Sequence, residues 1–132
     1  MVLLNLMRCY KMELSSLNKT WIIDVDGTIV KHNGYLIDGY DTLLEGVKEF
    51  FGYLPPDDKI VLMTARKKEH LENLKNFLSE QGIRYDYLLT DMPMGERILI
   101  NDKKPSGLKT AYAININRNN NFNINYTINK NL

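Results

Sequence analysis

The stretch Trp21-Ile22-Ile23-Asp24-Val25-Asp26-Gly27-Thr28 constrains this chain more than any other. An apolar run that stops abruptly at two acids, followed by glycine and threonine, reads as a buried strand delivering carboxylates to its C-terminal edge. Side chains alternate along a strand, so Asp24 and Asp26 share one side unless the chain begins to turn there. Two carboxylates that close repel each other unless a cation or a proton intervenes. A hard cation such as Mg²⁺ suits oxygen ligands of this kind. It takes one or two carboxylates and keeps waters and substrate phosphate oxygens in its remaining positions.

The rest of the composition mainly excludes. A chain of 132 residues with 44% hydrophobic residues has material for one domain and a single core. Its net charge of +1 and charged fraction of 25% lack the basic stripe of a nucleic-acid binder, so no nucleic-acid partner is expected. Cys9 is the sole cysteine, which excludes an intrachain disulfide and offers no zinc spacing. A reducing, cytoplasmic setting is the default, and no apolar run is long enough for a membrane span.

Along the chain, residues 1–19 read as an N-terminal extension, either a short helix or loose. Residues 29–40 carry the turn pairs Asn33-Gly34 and Asp38-Gly39 and predict a short β-hairpin flap over the end of the first strand. Apolar residues at helical spacing, with Asp41 as N-cap and Pro55-Pro56 as the stop, predict a helix over 42–54. Residues 59–63 predict a strand ending at Thr64, residues 67–81 a helix closed by Gly82, and residues 85–89 and 97–100 two further strands. The last of these ends at Asn101-Asp102. Such alternation predicts an α/β domain with a parallel sheet, whose ligands bind outside the carboxyl ends of the strands. Residues 117–132 are asparagine-rich and read as a polar tail of weak order.

The ordered motifs, DVDGT after an apolar strand, Thr64 within IVLMTAR, and Asn101-Asp102 within ILINDKKP, resemble the haloacid dehalogenase superfamily over residues 20–116. The block DMPMGERILINDKKPSG is similar to small, capless, phosphatase-like members. The resemblance implies a Rossmann-like domain, three layers α/β/α around a parallel sheet, with a short flap and no large cap. It implies a Mg²⁺-dependent phosphomonoester hydrolase acting through an aspartyl-phosphate on a small phosphorylated metabolite, with a carbohydrate or polyol phosphate as the expected class.

On that resemblance Asp24 is the nucleophile and Asp26 the general acid and base. Thr64, with backbone N–H groups of Ala65 and Arg66, would bind phosphoryl oxygens. Asp24, Asp26 through its main-chain carbonyl, Asp102 and Asn101 would hold the metal. The family's lysine ahead of the last motif is missing, since Asp91-Met92-Pro93 stands there. Arg97 is the first candidate for the absent cation, followed by Lys103 and Lys104. Other readings are a phosphotransferase, and a catalytically weak binding or regulatory module. Without a cap the site is open, which permits bulky substrates, or a second copy or a partner protein serving as lid.

Overall fold

The computed structural model describes residues 9–132. Strand β1 is Tyr10–Leu14 and β2 is Thr20–Asp24; a single helical turn, α1, spans Gly34–Ile37, and helix α2 spans Val47–Tyr53. Strand β3 is Lys59–Met63, a 3₁₀ turn at Lys68–His70 leads into α3 at Leu71–Glu80, β4 is Tyr87–Leu89, and β5 is Ile124–Ile128. The result is a small α/β architecture with two parallel sheets. β2, β3 and β4 form one, in that order, and β1 pairs with β5 in the other.

β3 lies between two parallel neighbours, and its Ile60 and Leu62 are fully buried. A continuous apolar run of this kind fits a strand covered on its faces. Helix α3 contributes Leu74 and Leu78, both fully buried, which the spacing of four residues places on one face. Helix α2 adds Val47, Phe50 and Phe51 to the same cluster, where Ile23 and Val25 of the acid-bearing stretch also sit. Asp24 pairs in register with Met63. Thr64, the next residue on the neighbouring strand, therefore emerges at the same sheet edge as the acids. Gly82 takes φ 70° after α3, as the sequence predicts.

Four expectations fail, each for a physical reason. The flap is not a β-hairpin. Antiparallel pairing is confined to its base, where Val30 bridges Leu43 and the Lys31 N–H reaches the Thr42 carbonyl. Between them Asn33 adopts φ 55° and starts a helical turn, with the Ile37 N–H on its carbonyl. The same Asn-Gly pair that suits a hairpin turn thus serves a helix start. The second helix begins at Val47 rather than 42, because Leu43 and Leu44 are drawn into pairing with Val30 and Ile29.

The strand expected over 97–100 does not form. Ile98 and Ile100 are 82% and 91% exposed, and the chain beyond them folds on itself, with the Asn101 amide donating to the Thr110 carbonyl. A strand needs a partner edge, and local propensity does not supply one. Last, the described parts of the two terminal segments are not loose. Residues 1–8 of the expected extension lie outside the described residues, but β1 pairs with β5 from Tyr10↔Ile124 to Leu14↔Ile128. Phe122 is only 5% exposed and packs on Phe50 at 4.9 Å, while Tyr126 meets Trp21 at 5.3 Å. The supposed tail completes the core.

Gly46 marks where that closure is tightest. It has φ 90°, and a Cβ there would lie 2.4 Å from the Phe122 carbonyl oxygen. Gly46→Ala is expected to destabilise the fold by about 3 kcal/mol, from left-handed strain and displacement of the 122 backbone. Urea unfolding would read this as a lower midpoint at unchanged slope. An unaltered midpoint would show that the terminal segment shifts without cost.

Candidate active site

The acids occupy the edge where β2 runs out. The Val25 carbonyl accepts N–H groups from Thr28, Ile29 and Val30, so the chain turns sharply after Asp26, and Gly27 makes the turn at φ 83°. Asn119 secures it from outside. Its N–H donates to the Gly27 carbonyl, and its side-chain oxygen accepts the His32 N–H at 2.7 Å. Residue 119 lies in the segment that the sequence reads as tail.

Asp24 is about a third exposed at its side chain, 35%. Its Oδ2 accepts the Thr28 hydroxyl at 2.9 Å, and its Oδ1 accepts Arg97 Nη1 at 2.6 Å. Arg97 is comparably exposed and reaches the acid from the coil that replaces the expected fourth strand. Among Arg97, Lys103 and Lys104, it is Arg97 that the structure places on Asp24. Lys104 lies on an exposed turn closed by the Gly107 N–H on its carbonyl.

Asp26 is held differently. Arg66 donates from Nε and Nη2 to Oδ1 at 3.0 and 2.9 Å, and from Nε to Oδ2 at 3.3 Å; the Thr64 hydroxyl donates to Oδ2 at 2.8 Å. Four donor contacts meet a carboxylate with about four lone-pair sites. Arg66 also forks onto Asp41, Nη1 to Oδ2 at 3.0 Å and Nη2 to Oδ1 at 2.6 Å. The Tyr35 ring covers its face, with the guanidinium carbon 3.9 Å from the ring centroid. Burial alone would pull this guanidinium down, yet its bonds to Asp41 and Asp26 carry it above its ordinary value. Burial raises the Tyr35 hydroxyl, an effect that Arg66 opposes and the nearby acids reinforce.

Thr64 and Arg66 therefore differ from what the resemblance implies. Thr64 is fully buried, its hydroxyl proton goes to Asp26, and its oxygen accepts the Arg66 N–H at 3.0 Å. No helix opens at Ala65 and Arg66, because the 3₁₀ turn begins only at Lys68. These residues support Asp26 rather than face an incoming phosphate. Asp41 is the site residue that sequence reasoning missed, having been assigned as a helix cap. The signal was Arg66 itself: a guanidinium directly after a buried strand needs carboxylate partners.

The donors at the acid pair are oxygens, which suits Mg²⁺, and Asp24 is the carboxylate open to solvent. Both oxygens of each acid accept hydrogen bonds, those of Asp24 from Thr28 and Arg97 and those of Asp26 from Thr64 and Arg66. Asp102 and Asn101 are not gathered here. Among the described residues no three His, Cys, Asp or Glu side chains form a metal-sized group, and the Asp102 carbonyl accepts the Thr110 hydroxyl in an exposed loop. A magnesium ion would have Asp24 as its single solvent-facing carboxylate ligand, with waters and phosphate oxygens completing the set, and would compete there with Arg97. Among the described residues no helix is long and apolar enough to cross a membrane. Compared with known protein families, with curated proteins and with solved structures, the chain matches none.

Proposed function

We propose that this protein is a phosphomonoester hydrolase in which Asp24 attacks phosphorus and Arg97 supplies the cation that permits the approach. The observation carrying this reading is the 2.6 Å contact between Arg97 Nη1 and Asp24 Oδ1 at the carboxyl end of β2. An anionic phosphate is repelled by a bare carboxylate. A guanidinium has a planar fork, so one edge can take a phosphoryl oxygen while another faces the nucleophile. Both groups are partly exposed, so a substrate can reach them from solvent.

In the first step an Asp24 oxygen bonds to phosphorus, the bond from phosphorus to the substrate oxygen breaks, and that oxygen takes a proton from Asp26. Water then attacks the aspartyl-phosphate, gives its proton to Asp26, and inorganic phosphate leaves. Of the four contacts on Asp26, Arg66 Nε to Oδ2 is the longest at 3.3 Å. Mg²⁺, when bound at Asp24, would add charge neutralisation at the phosphoryl oxygens. The substrate in this reading is a small phosphorylated metabolite, with carbohydrate and polyol phosphates the first to try.

The finer fold assignment, a capless haloacid dehalogenase-like domain, belongs to the same proposal. It is supported by acids and threonine ending adjacent parallel strands in the family's order. One observation favours a second reading, a binding or regulatory module: each acid already faces an arginine.

A panel of sugar phosphates, nucleotides and small phosphorylated acids, assayed with Mg²⁺, separates the two. Arg97→Ala is expected to lower phosphate release on the order of a hundredfold, whereas Lys104→Ala should stay within about twofold. The reverse order would show the cation misplaced. No release by the native protein on any substrate would favour the module.

A further inference from the structure

Asp41 has no part in the reaction above, yet it is bonded to the group that grips Asp26. We propose that Asp41 is a positioning residue, acting through Arg66 to hold the Asp26 carboxylate where it can exchange a proton with the substrate oxygen. The proposal rests on the hydrolase reading.

Three features carry it. Arg66 and Asp41 have side chains only 2% and 4% exposed, and Asp26 is 13% exposed. A guanidinium this deeply buried must be paired, and its two forked edges serve different acids, the Nε–Nη2 edge Asp26 and the Nη1–Nη2 edge Asp41. The third feature is the Tyr35 ring stacked on its face. Two edges and one face are fixed, so the guanidinium has no freedom to turn, and Asp26 inherits that rigidity. Release of the Asp41 edge leaves Arg66 held by Asp26 and Tyr35 alone, free to rotate about the Asp26 fork.

The arrangement also ties segments distant in sequence. Asp41 lies beyond α1, at the end of the excursion closed by Val30 and Leu43, whereas Arg66 follows β3 and Asp26 follows β2. A buried cluster that only stapled the loop would act on stability alone. A positioning pair acts on turnover, because small misplacement of a proton donor slows the chemical step while substrate binding is retained.

The test uses the full chain with Asp41→Asn and, separately, Arg66→Lys, which keeps the charge but lacks the fork. With whichever phosphomonoester the native protein turns over best, each variant is expected to lower kcat at least about tenfold, with KM within about twofold. Circular dichroism confirms the folded fraction used to normalise the rates. Unchanged kcat per folded molecule with a lower Tm overturns the proposal in favour of a loop staple. A raised KM at native kcat overturns it in favour of substrate contact.

A readout independent of activity separates this failure from failure of the hydrolase reading. In ¹⁵N-labelled protein the Arg66 Nε–H signal should exchange slowly with water, and at least about tenfold faster in Asp41→Asn. Equal exchange in both proteins overturns the link between Asp41 and Asp26, whatever the protein's activity. If native protein and Asp24→Asn release no phosphate, faster exchange in Asp41→Asn still supports that link.

Discussion

Asp24→Asn is expected to lower phosphate release by at least about a thousandfold while leaving the fold intact. Asparagine has the shape of aspartate and still accepts the Thr28 hydroxyl, so the turn after β2 keeps its bond. What it lacks is the anionic oxygen that forms the bond to phosphorus. The lost ion pair with Arg97 is partly exposed on both sides, and such pairs contribute at most about 1 kcal/mol to folding. Activity and stability therefore part company, which distinguishes a nucleophile from a structural acid. Phosphate release is measured on the best substrate of the panel, with circular dichroism and a urea titration on the same preparation. Native turnover by Asp24→Asn would remove Asp24 from the chemistry. A variant that fails through unfolding would show the acid to be structural.

Phe122→Ala should be the most damaging change to stability, at about 3–5 kcal/mol, the usual cost of emptying a buried aromatic site. Against the 5–15 kcal/mol that holds a typical domain together, this is a large share. Phe122 is 5% exposed, packs on Phe50, and belongs to the cluster that includes Ile23, Val25 and Val47. Its main chain is also fixed, since its N–H donates to the Glu45 carbonyl. The effect should reach the acids, because Asn119, three residues earlier, clamps the Gly27 turn. A chain ending at residue 116 would lose both holds together with β5, and is expected not to unfold cooperatively. Urea unfolding monitored at Trp21, which contacts both Phe50 and Tyr126, reads the change directly. An unshifted midpoint for Phe122→Ala would show that residues 117–132 are dispensable.

The two outcomes share a cause in the way this chain distributes its information. β3 and α3 were legible because their apolar patterns are local: an unbroken run at 60–63, and a face repeating every three to four residues. β5 was not. Its stretch, Ile124–Ile128, alternates like a strand, but it sits in asparagine-rich sequence whose composition resembles an unstructured tail. Its pairing partner is more than a hundred residues earlier, and no local feature points to it. The segment 97–100 erred in the opposite direction. Its apolar residues suit a strand, yet no edge receives them, and Arg97 turns instead to Asp24.

Asp41 shows the same limit inside the site. As an acid ahead of an apolar helical pattern it fits an N-cap, and nothing nearby in sequence contradicts that. The competing demand comes from Arg66, brought within 2.6 Å by the parallel pairing of β2 and β3 and by the bridge at the base of the 31–42 excursion. A buried guanidinium needs carboxylates more than a short helix needs a cap. Gly46 takes the N-cap position in its place.

The sequence by itself determined that two carboxylates and a threonine would follow neighbouring apolar strands, because apolar runs and side-chain alternation are local properties. That β2 is an edge strand with Ile22 half exposed was not legible there. Only the tertiary structure decided which charges those acids meet. Asp24 faces Arg97, and Asp26 shares Arg66 with Asp41, because ion pairing in a poorly solvated edge depends on which segments the fold brings within hydrogen-bond reach.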